Sequence, residues 1–386
     1  MKITYVYSTF ATKGGTERII TEKANYLTEC FGYDVTFITC FQHENEQNFF
    51  RTSNKIKQIN LEIPYFSQYK YKYPVRLWVK WKVNRLLRER IKRAVKQEDP
   101  DILIGVSRLK ANYISAIKCR AIKIIECHVV KFDTLFDTKT KRSFLERFIM
   151  KIHEYIYLRT IERNADVIVT LTEQDRLLWK KAKRTEAIAN FSTMPISHYS
   201  DCTRKRVIAV GRLIQKKGFE RLIEIWTIVS SKHPNWLLDI FGEGEMYDKL
   251  IMLIQSNNIK SVKIHKATSD ISIEYANSSI CAVTSYVEGF SLVILEAMKH
   301  GVPCIAFDCP FGPSSIIKDE ECGFLINDGD IKLFAEKLCN LIENYELRKH
   351  LSQESIERAK QFDVDRIMNQ WKDLYENLCP QNGSYD

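Results

Sequence analysis

Two acidic residues, Glu288 and Glu296, have seven residues between them in a segment patterned as a strand, a polar turn and a helix. The apolar residues 280–284 predict the strand, Glu288 falls in the turn, and the helix is predicted from about Ser291 to His300. Glu296 lies in this helix among apolar neighbours, so we expect its carboxylate to be buried. Because a buried charge is costly without hydrogen-bond donors, Glu296 should bind a group that supplies them, such as a ribose diol.

Two cations could bind phosphate in an earlier loop. Arg212 and Lys217 follow a predicted strand over residues 206–210, and the loop that carries them begins at Gly211. A guanidinium can hold a phosphate through two parallel hydrogen bonds, and a lysine adds a compact second charge. Two cations in a loop are usually only solvated, but the acidic pair downstream favours the phosphate-binding interpretation.

Two further features stand at the ends of predicted strands in the N-terminal half. Gly14 and Gly15 follow the first strand and precede a helix predicted over residues 16–27, where a helix N-terminus could face an anion. The G-x-G-x-x-G dinucleotide pattern is absent there, and an ordinary tight turn is an equal alternative. His128 follows a strand predicted over residues 121–126, at the end of the strand where open α/β sheets bind ligands. A histidine that is only hydrogen-bonded in the structure is the alternative.

The acidic pair resembles the signature of glycosyltransferase family 4. The likeness rests on the spacing Glu288-x7-Glu296 and on its surroundings. A predicted strand comes first, Glu-Gly-Phe-Ser begins at Glu288, and Gly-Val-Pro follows the helix that carries Glu296. It extends over nearly the whole chain and is densest over residues 207–326, while Gly-Gly-Thr-Glu-Arg at 14–18 matches the first loop of the family. Members are retaining enzymes that use nucleotide-sugar donors. The resemblance implies an α/β protein of the GT-B type, with two Rossmann-like, doubly wound domains facing across a cleft.

The resemblance also implies roles for single residues. Arg212 and Lys217 would hold the diphosphate of the donor, Glu296 its ribose and Glu288 its sugar. His128 would orient a sugar hydroxyl or the acceptor. The remaining donor-binding positions would be Gly14, Gly15, Gly211, Gly289, Phe290, Ser291 and Leu292. The acceptor would attack from the face of the leaving group, and the departing phosphate would take its proton; a covalent route through a carboxylate stays open.

The implied reaction transfers a hexose to a glycan or lipid-linked acceptor in cell-surface polysaccharide or lipopolysaccharide synthesis. Residues 308–313 resemble members that use UDP-sugars, which favours UDP. We expect no cofactor and no metal, because the D-x-D triplets at 328–330 and 363–365 each precede a helix and are interpreted as caps. One alternative is a sucrose- or trehalose-type synthase with a soluble acceptor. Another is a non-catalytic basic module that binds nucleic acid or membrane.

Length and cysteine content predict the organisation of the chain. At 386 residues it exceeds a single core, and we predict an acceptor-side domain over 1–195 and a nucleotide-sugar-binding domain over 205–362. Residues 194–204 are the predicted linker, a helix over 364–378 should return to the first domain, and 380–386 should be a frayed tail. The 11 cysteines form no C-x-x-C pair, which favours reduced thiols and a cytoplasmic protein.

The net charge of +10 is concentrated in one segment. From Lys70 to Lys96, eleven Lys or Arg residues face one acid, and aromatic residues are interleaved with them. A helix that begins near Pro74 would present these cations either to solvent or to the anionic lipids of the inner membrane face, which would make the protein peripheral. We expect no nucleic acid as partner. Residues 131–163 are predicted to be polar and then helical, with an apolar stripe interpreted as core and acceptor-side surface: Phe144, Phe148, Ile152, Tyr155 and Ile156.

Overall fold

A computed structural model describes residues 1–107, 110–131 and 144–380 of the chain. The described residues divide into two compact units, the first formed by 1–131, 144–188 and 367–380 and the second by 189–366. Within the described ranges, no helix is both long and apolar enough to cross a bilayer. The part of the predicted tail beyond residue 380 lies outside the described residues.

The first unit is built on a sheet of seven parallel strands in the order β3-β2-β1-β4-β5-β6-β7. Buried parallel strands appear in a sequence as short, almost continuous apolar runs. For most strands of this unit, the predicted ends lie within a residue or two of those in the structure. The strands are β1 (Lys2–Tyr7), β2 (Asp34–Thr39), β3 (Lys57–Asn60), β4 (Ile102–Val106), β5 (Ile122–Cys127), β6 (Val167–Thr170) and β7 (Thr185–Ala187). The helices that connect them are α1 (Gly15–Glu29), α2 (Val75–Glu98), α3 (Ala111–Ser115), α4 (Phe144–Asn164) and α5 (Glu173–Arg176).

The second unit has a sheet of six parallel strands in the order β10-β9-β8-β11-β12-β13. These are β8 (Arg206–Val210), β9 (Leu237–Phe241), β10 (Val262–His265), β11 (Ile280–Val283), β12 (Cys304–Asp308) and β13 (Gly323–Asn327). Its helices are α6 (Phe219–Lys232), α7 (Tyr247–Ser256), α8 (Ile271–Ala276), α9 (Leu292–Lys299), α10 (Pro313–Ile316), α11 (Ile331–Glu343) and α12 (Tyr345–Ala359). The last helix, α13 (Val364–Leu378), belongs to the first unit from Ile367 onward.

Helices cover both faces of the first sheet. The face that carries Val6 packs against α2, whose buried residues include Leu87 and Ile91. The opposite face carries Tyr5, whose hydroxyl lies 3.5 Å from that of Tyr375 on α13. The first sheet is therefore doubly wound, as predicted, and α13 completes the covering of its second face.

The apolar stripe of α4 was predicted to be core and acceptor-side surface, and the core part of that prediction is wrong. Phe148, Ile152, Tyr155 and Ile156 are between 45% and 61% exposed, and the side chain of Phe144 lies outside the described residues. Helical spacing shows that apolar residues share a face, but it does not show whether anything covers that face.

Two predicted boundaries also differ from the structure. β3 was predicted near residues 59–63, but it ends at Asn60, because Glu62 has a positive φ of 46° that interrupts the extended chain. The predicted linker 194–204 lies within the second unit. Polar groups of this segment form hydrogen bonds with the second unit. The Ser200 amide donates to the carbonyl of His300, and the Ser200 hydroxyl donates to the carbonyl of Ser278. A segment without period or regular structure can still be fixed by such bonds.

Candidate active site

The turn between β11 and α9 brings Glu288 to Lys217. The carboxylate oxygen Oε1 of Glu288 accepts from Lys217 Nζ at 2.6 Å and from the Ser285 hydroxyl at 2.6 Å. The side chain of Glu288 is mostly buried, and that of Lys217 is about a quarter exposed. In the part of the chain that the structure describes, Oε2 of Glu288 has no recorded partner. The cation predicted to bind phosphate and the acid predicted to lie by the sugar therefore form one ion pair, with one carboxylate oxygen left over.

Arg221, on the first turn of α6, joins the two loops that carry this pair. Its guanidinium donates to the carbonyls of Thr284 and Ser285 at 2.6 and 2.8 Å and to Asp328 Oδ1 at 2.7 Å. The triplet 328–330 was interpreted as a cap, and Asp330 does cap α11 by accepting from the amide of Leu333, while Asp328 binds Arg221 instead. Sequence reasoning missed Arg221, although a cation between the apolar residues of an amphipathic helix was a signal that it is held in the interior.

Two backbone features hold the loop that carries Lys217 against the end of β11. The amide of Tyr286 donates to the carbonyl of Lys216 at 2.9 Å. Gly218 has a φ of +62°, and a Cβ added there would lie 2.1 Å from the carbonyl oxygen of Thr284. A side chain at this position would therefore separate the loops, so Gly218 is required for the approach of Lys217 to Glu288.

The loop after β12 closes around Glu288 from the other side. The residue pairs with Phe311 through an isolated parallel bridge, and a Cβ added to Gly312 would lie 2.5 Å from the Glu288 Cβ. Phe311 has a φ of +81°, a strained conformation for a bulky residue that is characteristic of functional sites. The backbone of this loop therefore fixes the position of the acid.

The N-terminus of α9 presents unsatisfied donors beside the acid. Ser291 precedes the first turn, is 2% exposed, and its hydroxyl has no partner among the described residues. The first amides of a helix have no acceptor within the helix, and they favour an anion. A buried hydroxyl without a partner costs free energy, which a bound ligand or water would recover. Gly289 and Phe290 lead directly into this turn, and Leu292 is its first helical residue.

Glu296 lies in the second turn of α9 and is buried, as predicted. The hydroxyl of Tyr275 donates to its Oε2 at 3.4 Å. The protein therefore supplies a hydroxyl donor to this carboxylate itself, in addition to any that a ribose would bring. Arg212 is exposed, and no ion pair joins it to either acid among the residues described. Gly211 before it donates its amide to the carbonyl of Phe241 at 3.0 Å.

In the first unit, Gly14 caps α1 and Gly15 is its first residue. A Cβ on Gly14 would lie 2.1 Å from the carboxylate of Glu17, which accepts from the Tyr7 hydroxyl at 2.9 Å. Burial and the carboxylate raise the pKa of Tyr7 well above its usual value. The glycine therefore leaves room for an acid that orders the start of the helix.

His128 is attached to a buried ion pair that sequence reasoning missed. Its Nε2 lies 3.2 Å from Glu126 Oε2, and Oε1 of the same carboxylate lies 2.5 Å from Lys23 Nζ. The side chains of Lys23 and Glu126 are only 1% and 3% exposed. Lys23 Nζ also stands 3.6 Å from the ring centroid of Trp371 on α13. The signals were a glutamate within an apolar strand and a lysine on the apolar face of α1.

Charge determines the state of this cluster. Burial acts to raise the pKa of Glu126, but the charges of Lys23 and His128 outweigh it, so the pKa lies below its usual range. An ionised carboxylate can only accept, so the hydrogen bond with Glu126 places a proton on Nε2 of His128. Nδ1 has no recorded partner in the described ranges, and when it carries no proton its lone pair can accept from a hydroxyl.

Comparison with known proteins gives relatives that are glycosyltransferases. Residues 193–358 match the family model of Glycosyl transferases group 1. The chain is 29% identical to an uncharacterised glycosyltransferase of Haemophilus influenzae, over 97% of this chain and 99% of that protein. It is 33% identical to the amylovoran biosynthesis glycosyltransferase AmsD of Erwinia amylovora, over 54% of this chain and 62% of that protein.

Solved structures share the fold. A sucrose-phosphate synthase of Thermosynechococcus elongatus gives a TM-score of 0.80 at 18% identity, covering 98% of this chain and 99% of that one. TarM of S. aureus, crystallised as a mutant with UDP, gives 0.74 at 16%, covering 97% and 99%. These likenesses confirm the predicted fold of two parallel-sheet α/β domains. The chain therefore has the GT-B fold of solved glycosyltransferases over almost its whole length, and it matches the group 1 glycosyl transferases in the region that carries Lys217, Glu288 and Glu296.

Proposed function

We propose that this protein is a retaining hexosyltransferase of glycosyltransferase family 4, with a nucleotide-sugar donor and a glycan or lipid-linked acceptor. The observation that carries the proposal is the pairing of Lys217 with Glu288 beside the unpartnered Ser291 hydroxyl at the start of α9. A cation and a helix N-terminus suit a diphosphate, and a carboxylate with one free oxygen suits a sugar hydroxyl. AmsD is an amylovoran biosynthesis glycosyltransferase, and TarM was crystallised in complex with UDP, which favours a UDP-sugar and cell-surface polysaccharide or lipopolysaccharide synthesis.

In the proposed reaction, the bond between the anomeric carbon and the phosphate oxygen breaks as the acceptor oxygen bonds to the same carbon. The acceptor approaches from the face of the leaving group, and its proton passes to the departing phosphate, which gives retention. Lys217, Arg212 and the amides at the start of α9 stabilise the charge that develops on the diphosphate. Glu296 binds the ribose, and Glu288 orients the donor sugar.

The proposal requires no metal, because these cations and amides meet the charge of the leaving group. Among the residues that the structure describes, no three His, Cys, Asp or Glu side chains are grouped so as to hold a metal ion. In the first unit, Nδ1 of His128 would accept from a hydroxyl of the donor sugar or of the acceptor, and Gly14 and Gly15 would allow close approach of the backbone.

Two alternatives have less support. A synthase with a soluble sugar acceptor shares the fold, as the sucrose-phosphate synthase likeness illustrates, but the sequence relative AmsD is named for amylovoran biosynthesis. A non-catalytic basic module would leave the buried acids Glu288 and Glu296 without a purpose. We propose a cytoplasmic, peripheral location, because all 11 cysteines are free thiols and the segment from Lys70 to Lys96 is strongly basic.

Calorimetric titration with UDP, GDP and ADP, with and without magnesium, tests the donor site. We expect UDP to bind without magnesium and the Arg212→Ala/Lys217→Ala variant to bind it roughly a hundredfold more weakly, since each charge-assisted contact is worth about tenfold. The control is Lys205→Ala/Lys232→Ala, which removes two exposed cations elsewhere in the second unit. Equal affinity in both variants, or no nucleotide binding by folded protein, would refute the proposal.

A further inference from the structure

The helices α2 and α4 of the first unit share an unusual division. In each, the buried side chains lie toward the C-terminal end, and the described side chains of the N-terminal half are exposed or only partly buried. In α2 the buried residues begin at Val83, the ninth of 24 residues. In α4 the first buried side chain among those described is Leu158, so the described side chains at 146 and 148–157 include no buried one.

Length explains this division. At a rise of 1.5 Å per residue, α2 with 24 residues is about 36 Å long and α4 with 21 is about 31 Å. The strands beneath them have four to six residues and span roughly 13–20 Å. Only short loops join the C-terminal ends of these helices to β4 and β6, so those ends lie at the amino edge of the sheet. The N-terminal halves must therefore extend beyond the carboxyl edge, where His128 follows β5.

The two extensions lie on the same side of the unit. Val6, Gly105, Ile125 and Ile168 are neighbours in register across β1, β4, β5 and β6, so they share one face of the sheet. Val6 belongs to the core that packs against α2, while Ile125 and Ile168 belong to the core that packs against α4. α2 and α4 therefore cover one face in parallel, with the short α3 between them.

The extensions are apolar, aromatic and basic at once. The apolar and aromatic side chains described here are all at least 45% exposed. On α4 they are Phe148, Ile149, Ile152, Tyr155 and Ile156, and on α2 and just before it they are Tyr69, Tyr71, Tyr73, Val75, Leu77, Trp78 and Trp81. Cations lie over the rings: Lys82 Nζ is 3.6 Å from the Trp78 centroid, and the Arg76 guanidinium carbon is 4.6 Å from that of Tyr69. We call residues 69–82 and 146–157 the overhang surface.

We propose that the overhang surface docks onto an anionic lipid bilayer, with the apolar face of α4 and the rings of α2 entering the interface and the surrounding cations binding headgroups. Trp and Tyr beside Lys and Arg are the residue types that favour the boundary between headgroups and acyl chains. Five cations and no acid between residues 69 and 82 match the charge of such a surface.

A bilayer suits these residues better than other occupants. In a symmetric contact with a second copy, α2 would bring the same excess of cations against itself. A nucleic acid would use the cations, but it would leave five apolar side chains of α4 exposed. The inference deepens the proposed function and rests on it in one respect: the carboxyl edge that carries His128 would face a lipid-linked acceptor at the membrane surface.

Flotation with phosphatidylcholine vesicles, with or without phosphatidylglycerol, tests the docking. We expect the wild type to float only with the anionic vesicles. Phe148→Ser/Ile152→Ser/Ile156→Ser should weaken partitioning roughly a hundredfold or more, since each buried apolar side chain is worth about tenfold. Because these side chains are exposed, the variant should keep its circular dichroism and its UDP affinity. The matched control is Met252→Ser/Ile273→Ser, which alters exposed apolar residues of the second unit and should float as the wild type does.

Tryptophan fluorescence gives a second readout of depth. Of the six tryptophans, Trp179, Trp226, Trp236 and Trp371 are buried, so acyl-brominated lipids should quench Trp78 and Trp81 selectively. Trp78→Phe/Trp81→Phe should abolish this quenching, Ile152→Trp in that background should restore it, and Met252→Trp should not.

Several results would overturn the inference. The inference is wrong if the wild-type protein does not bind anionic vesicles, or if the triple serine variant floats as the wild type does. A dimer by light scattering that the triple variant converts to a monomer, with vesicle binding unchanged, would assign the surface to a second copy. Because no sugar nucleotide is present, these results are independent of the UDP titration: loss of docking with UDP binding intact refutes only the membrane inference.

Discussion

Replacement of Lys23 by methionine should destabilise the first unit strongly. Lys23 Nζ lies 2.5 Å from Glu126 Oε1, and both side chains are almost completely buried. Methionine keeps the length of the side chain and removes its charge, so the carboxylate of Glu126 loses the ammonium and keeps His128 and Tyr5 as partners. Loss of one member of a buried ion pair costs about 3–5 kcal/mol, because the remaining charge is left in the interior.

The pH dependence of this loss has a definite sign. In the wild type the pKa of Glu126 lies below its unfolded value of about 4.3, so its contribution is present above that pH and is lost on acidification. Without Lys23, burial should raise this pKa above the unfolded value, and the carboxyl then stabilises the fold only at low pH. Tyr5 and Tyr375 also face this group, but burial raises the pKa of both well above the usual value, so they stay neutral. The deficit of the variant should therefore shrink as the pH falls from 8 toward 5.

Amide hydrogen exchange at β1 and β5 measures the free energy of opening of this unit alone. Lys23→Met/Glu126→Gln should recover roughly 2 kcal/mol relative to Lys23→Met, because the uncompensated charge is gone. The control is Arg85→Met, which breaks the exposed pair with Glu89 and should cost no more than about 0.5 kcal/mol. A cost for Lys23→Met as small as that of Arg85→Met, or no recovery in the double variant, would refute the reasoning.

Two further predictions concern titratable groups of the first unit. In Glu126→Gln the neutral amide no longer fixes the tautomer of His128, so the nitrogen chemical shifts of that ring should change from those of one dominant tautomer to those of a mixture. The value of kcat should fall by a larger factor than KM changes. Unchanged chemical shifts would mean that Glu126 has a purely structural role. Burial raises the pKa of Asp175 to about 6, so this carboxyl favours the fold at low pH and loses that contribution as the pH rises through 6. Asp175→Asn should therefore gain roughly 2–3 kcal/mol over the wild type between pH 4 and pH 8, measured by hydrogen exchange at β6, and parallel pH profiles would contradict this.

The sequence predicted the fold well because parallel sheets and glycine-containing turns leave local signals. β4 and β11 are apolar runs of strand length, and the helix after Ser291 is followed by a glycine and a proline. The loops that carry Lys217 and Glu288 were recognisable for the same reason: each lies between a strand and a helix.

The partners of the site residues could not be predicted from the sequence, because they depend on tertiary contacts. Arg221 joins carbonyls that are more than 60 positions away, and Lys23 meets Glu126 across 103 positions. A charged residue on an apolar helix face does signal a buried partner, but no local pattern identifies that partner. The exposed face of α4 failed as a core prediction for a related reason, since periodicity gives direction but not the length of the neighbouring strands.

In the proposed reaction, the ion pair of Lys217 and Glu288 would link donor binding to the position of the sugar. Lys217 is held by one oxygen of Glu288 and remains about a quarter exposed, so its other two ammonium hydrogens can meet a diphosphate without release from the carboxylate. Glu288 in turn is fixed by Ser285 and by the backbone near Phe311, so it does not follow the lysine when a ligand arrives. A single carboxylate can then position the phosphate-binding cation through Oε1 and a sugar hydroxyl through Oε2. This geometry would place the bond between sugar and phosphate next to both groups, which is where a reaction with the leaving group on the attacking face requires them.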